Sequence, residues 1–230
     1  MAGMRWTGLL VAVMLATSAC ALLPTPVPER AYFPDTTDPR TRLLSETLYR
    51  AAAAAGDDPT RYSFAMIQTG KVAAVTHEEG IFYFSEGLAA QTPACVDAFV
   101  AHEVAHEVLG HVGKRRALSL GVSGGFTVIG FIVPGLGLMD FLVNPVIVRA
   151  FTRDQAFAAD QKSLEILRSL GYQAPRRTLA EALKAAASLN GAPDGNPLLA
   201  TEPDLDDRLG ALEPLETEAA GLAGNTPPKR

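Results

Sequence analysis

Residues 102–106 read His-Glu-Val-Ala-His, and few five-residue patterns restrict a fold so tightly. Thr92-Pro93 stands ten residues ahead, an N-cap followed by proline at the first helical position, so the spacing predicts a helix that carries the motif. Residues four apart on a helix project from one face, and two imidazoles placed that way can bind one Zn²⁺. Glu103 lies about 100° round the helix, beside the two histidines. It can take a proton from a water held by the metal and pass it on to a leaving amine. The bland alternative is a pair of incidental surface histidines, and a capped, apolar-faced helix following a strand argues against it. His111 falls nine residues after His102, where an unbroken helix would turn it away from a metal. Gly110-His111 also misses the metzincin spacing by one residue, so His111 reads as a helix-end residue.

Charge and targeting signals narrow the setting. The formal net charge is −5, and no basic run exceeds Lys114-Arg115-Arg116, so nucleic acid is an unsuitable partner. Arg5, the apolar run Leu9 to Leu15 and then Thr17-Ser18-Ala19-Cys20 have the order of a secretory leader. Cys20, directly after the small residues, predicts a lipoprotein signal over 1–19 and lipid attachment at the Cys20 thiol. Membrane contact would then run through that lipid, with the domain in the cell envelope on the periplasmic side. Cys95, the only other cysteine, then has no disulfide partner and reads as a small buried residue. Residues 117–148 contain one charge, Asp140. Several glycines, Pro134 and the topology favour buried helices or an apolar flap over a membrane span.

The remaining pattern is that of one mostly helical domain. Four prolines among residues 20–38 predict an extended tether. Asp38-Pro39 opens a helix that Gly56 closes. Tyr62–Gln68, Val72–Thr76 and Ile81–Ser85 read as strands of a small antiparallel meander. Further helices are predicted over about 149–170, from a capping box at Thr178 and Glu181, and over 203–212. The tail over 214–230 is rich in Pro, Glu, Ala and Gly and predicts disorder. The expected fold class is α+β, a zincin-like domain over 39–213 with a small antiparallel sheet.

From Ile81 to Leu212 the chain resembles the gluzincin peptidases that include HtpX, the CAAX prenyl protease and the mitochondrial Oma-type protease, in particular their short bacterial lipoprotein members. The resemblance rests on Ile81–Leu88, the His-Glu-Val-Ala-His motif with Gly110-His111, Thr152-Arg153 before Ala159-Asp160, Gly171-Tyr172, and Thr201-Glu202-Pro203 ahead of Asp207-Arg208-Leu209. It implies a metalloendopeptidase with one Zn²⁺ and a polypeptide substrate, with His102 and His106 as ligands and Glu103 activating water. It implies a role for Arg208 at the oxyanion, and an edge strand Ile81-Phe82-Tyr83-Phe84 to which an extended substrate could add. Two positions depart from the family. The family's third ligand is a Glu where this chain has Ala156, and its Thr-His-Pro segment reads Thr201-Glu202-Pro203. Glu202 or Asp160 could make up the missing ligand, or no third protein ligand exists. In that last case the chain would be a weakly active or inactive relative that escorts envelope proteins.

Overall fold

The computed structural model describes residues 30–77, 80–113, 151–191 and 203–217. These belong almost entirely to one compact unit formed by residues 27–112 and 151–230. Cys20, Glu202, the apolar stretch 117–148 and residues 218–230 lie outside the described residues. Among the described residues, no helix is long and apolar enough to cross a membrane.

The elements follow in chain order: β1 Ala31–Tyr32, α1 Pro39–Ala55, β2 Ser63–Ile67, β3 Ala74–Thr76, β4 Ile81–Ser85, α2 Glu86–Ala89, α3 Pro93–Val108, α4 Arg153–Ser169, α5 Pro175–Asn190 and α6 Leu205–Leu212. The fold is mostly helical with one small sheet, an α+β architecture. Helix α1 has the predicted limits. Asp38 caps it, and Gly56 ends it at φ +81°. Helix α3 opens as read, with the Thr92 hydroxyl accepting from the Cys95 N–H.

The sheet departs from the expected meander. Its order is β1-β2-β4-β3, with β2 parallel to β4 and the other pairs antiparallel. The turn after β3 makes a hairpin with β4, but β2 crosses to the far side of β4. Central strands are buried on both faces, and β4 shows it: Phe82 and Phe84 are fully buried and Tyr83 nearly so. The expectation that Ile81–Phe84 forms an open edge is therefore corrected. β4 lies between two strands, and β1 and β3 are the edges. The pairing also draws Ala31 and Tyr32, at the end of the predicted tether, into the sheet.

Helix α3 sits at the centre. It packs against α1, α4, α5 and β3, so its sequence is apolar round most of its circumference. Outside the motif, Asp97 is a buried polar residue of α3, with three donors: Thr47 Oγ1 at 2.9 Å, Arg50 at 2.9 Å and the Tyr172 hydroxyl at 2.8 Å. A buried carboxylate is tolerable when its oxygens are satisfied in this way, and here it fixes α3 against α1 and the entry to α5.

Two further readings change. Helix α5 starts at Pro175, so Thr178 lies inside it and donates to the Ala174 carbonyl; it is not the cap. The cap comes from Glu216, whose carboxylate accepts from the Arg176 and Arg177 main-chain N–H groups at 3.1 and 3.0 Å. Glu216 lies in the tail expected to be disordered. A helix N-terminus attracts a carboxylate, and this one holds residues 213–217 against α5.

Candidate metal centre

His102, Glu103 and His106 are all buried on α3. The two Nε2 atoms face each other at 3.1 Å. Each ring has its other nitrogen engaged. His102 Nδ1 is 2.9 Å from Asp160 Oδ1 on α4, and His106 Nδ1 is 3.0 Å from His111 Nδ1. Phe151 stacks on the His106 face, with ring centroids 3.6 Å apart.

Asp160 is the hub behind His102. Arg208, on α6, donates to both its oxygens, from Nε at 2.9 Å and from a terminal nitrogen at 2.5 Å. Burial raises the Asp160 carboxyl, but His102 and Arg208 outweigh it and hold the group down at about 2. As a carboxylate, Asp160 can only accept, so His102 Nδ1 carries a proton, and in the neutral ring Nε2 carries the lone pair. If His106 donates to His111 in the same way, both Nε2 lone pairs converge. Two such nitrogens fit one tetrahedral cation: zinc bonds of about 2.0–2.1 Å would hold them about 3.3 Å apart.

His111 is buried. Gly110 takes the left-handed conformation at φ +66° and breaks the helix, which turns His111 back beneath His106. It meets the nitrogen facing away from His102, so it stands behind a ligand rather than among the ligands. His77 is half-buried against Tyr83 with both ring nitrogens out of solvent.

Glu103 meets β3. Its Oε2 is 2.5 Å from Thr76 Oγ1, and its main-chain oxygen is 2.9 Å from the same hydroxyl. In β3 the bonds His77 N–H to Ile81 O and Ser85 N–H to Ala73 O define which pairs are hydrogen-bonded. By the antiparallel alternation, the main-chain groups of Ala74 and Thr76 point away from β4, toward the sheet's edge.

Of the expected site residues, His102 and His106 meet through their Nε2 atoms, and Glu103 is buried on the same helix. Asp160 and Arg208 join them, but from behind His102. Both meet His102 at Nδ1, the nitrogen opposite the one that approaches His106. Ala156 is buried one turn before Asp160 on α4, and its methyl group has no ligand to offer. Among the described residues, no group of three or more His, Cys, Asp or Glu side chains could hold a metal ion.

The sequence pattern of peptidase family M48 matches residues 38–216, which span every element from α1 to α6. The chain belongs to peptidase family M48. No curated protein matches it. M48 membership supports a metallopeptidase acting on polypeptide. Thr76, Phe151 and the partnership of His111 with His106 escaped the sequence reading. Thr76 and Phe151 lie far from the motif in the sequence, and the His111 contact depends on the turn at Gly110.

Proposed function

We propose that this chain is a zinc-dependent endopeptidase of the bacterial cell envelope, anchored by lipid at Cys20. The observation that carries the metal assignment is the 3.1 Å approach of His102 Nε2 to His106 Nε2, with both far nitrogens engaged. Zinc bound there would supply a Lewis acid for the attacking water and the scissile carbonyl. Glu103 takes the water's proton and returns it to the leaving nitrogen. The substrate lies extended along β3 and pairs with main-chain groups on the side of Ala74, in place of the edge first assigned to Ile81–Phe84. Asp160 fixes the His102 ring, as carboxylates behind zinc-bound histidines do, and Arg208 fixes Asp160. Glu202 is the proposed third ligand.

A second reading has an observation of its own. Ala156 leaves α4 without a ligand beside the two histidines, which suits a non-catalytic relative that holds envelope proteins. One experiment separates the two. The lipid-free domain is purified, its zinc measured, and casein-type cleavage assayed for wild type and Glu103→Gln. Stoichiometric zinc, with cleavage lost in the variant, is the expected result. No zinc, together with no cleavage under any metal, would leave the escort reading.

A further inference from the structure

The Thr76 hydroxyl, on β3, meets both the Glu103 carboxylate and the Glu103 main-chain oxygen. Thr76 is fully buried and Glu103 is 7% exposed. A carboxylate in such a place needs donors to offset its lost hydration. The contact to Oε2 is 2.5 Å, within the range of a hydroxyl donating to an ionised carboxylate, about 2.5–2.7 Å. Two contacts to Glu103, one to the side chain and one to the main chain, fix the hydroxyl relative to the helix. Thr76 belongs to β3, the strand against which substrate is proposed to lie.

We propose that Thr76 is a positioning residue for the peptidase reaction: its hydroxyl holds Glu103 Oε2, so that Oε1 is the oxygen that takes and returns the proton. The strand that receives the substrate thereby also sets the base. A rotatable carboxylate would sample orientations in which neither oxygen faces the water. One held by Oε2 spends its time with Oε1 presented, which is the pre-organisation on which proton transfer depends. This rests on Glu103 being the proton carrier.

The test uses the full chain with Thr76→Val, which keeps the shape and removes the donor, and Thr76→Ser, which keeps the donor. Zinc content, kcat and KM on unfolded casein are measured for each. Thr76→Val is expected to lower kcat about 10–100-fold with KM and zinc content as in wild type, and Thr76→Ser to recover most of the loss. Wild-type kcat in Thr76→Val, an equal loss in both variants, or zinc loss in Thr76→Val would overturn the assignment. A melting cycle reads the contact without catalysis. Thr76→Val should lower Tm less in a Glu103→Ala background than in wild type, because the carboxylate it serves is already gone. Equal drops would mean that the hydroxyl serves only the main-chain oxygen, and would overturn the proposal. If wild type cleaves nothing, the peptidase reading fails on its own, and the melting cycle still decides the contact.

Discussion

Asp160 illustrates how one residue can matter more for what it touches than for what it could ligate. Its side chain is 2% exposed and that of Arg208 is 15% exposed, so the pair is charge inside protein. Replacing Asp160 with Asn leaves the Arg208 guanidinium without its counter-charge. Breaking a buried pair from one side costs about 3–5 kcal/mol. Asp160→Asn is therefore expected to lower the urea-denaturation stability of the metal-free protein by about 3 kcal/mol. Asp160→Asn with Arg208→Met should cost less than the two single changes added together, since the second change removes the stranded charge. Additive losses would show that the two side chains do not depend on each other. Cys95 offers a second test at this scale. Burial pushes its thiol up to about 11, so little thiolate exists at pH 8. Alkylation by iodoacetamide at pH 8 is expected to be slow in the native protein and fast in urea. Rapid native labelling would contradict its burial.

At the scale of elements, α5 depends on a residue 39 positions away in sequence from one of its own first-turn amides. Burial would raise the Glu216 pKa, but the Arg177 and Arg176 main-chain N–H groups more than offset it, and the pKa is lowered. A carboxyl with a lowered folded pKa contributes stability above its unfolded pKa and loses it as pH falls through the folded value. Glu216→Ala should therefore lower Tm at pH 7 by about 2–4 °C, the equivalent of a lost cap of about 1 kcal/mol. The gap between variant and wild type should close as the pH drops below the ordinary glutamate range. A gap of constant size down to pH 2 would rule out a charge-dependent cap. Glu216 also shows where sequence reading stops. Asp38-Pro39 and Thr92-Pro93 identify helix starts because the cap and the helix are adjacent. At Thr178 the same reading fails, because the real cap arrives from another element and an internal threonine can imitate one. The strands are legible for similar reasons, from turn residues and alternation. Their order is not, since β2 could pair with either edge of the β3–β4 hairpin and only the buried phenylalanines of β4 decide the matter.

Across the whole molecule, the centre joins residues 102, 160 and 208, from three helices far apart in the chain, so the site exists only when the domain is folded. Metal binding at the proposed centre would then be linked to folding. A ligand that binds only the folded state at 100 times its Kd adds about 2.7 kcal/mol, or roughly 5–10 °C in Tm for a domain of this size. The zinc dependence of Tm accordingly measures how many ligands the chain supplies. Two imidazoles alone bind zinc weakly, whereas a third protein ligand brings the affinity into the range of catalytic zinc sites. With Glu202 as the third ligand, micromolar zinc should raise the wild-type Tm, and Glu202→Ala should require far higher zinc for the same shift. Ala156→Glu in the Glu202→Ala background should restore the response. Position 156 lies one turn before Asp160 on α4, on a helix that packs against the histidine helix, and it is where the family resemblance expects the third ligand. If Glu202→Ala leaves the zinc response of Tm unchanged, the third-ligand role is lost to Glu202. If Ala156→Glu then sharpens the response of wild type itself, the chain as it stands has only its two histidines to offer. The missing carboxylate on α4 would in that case be the feature that separates it from an efficient peptidase.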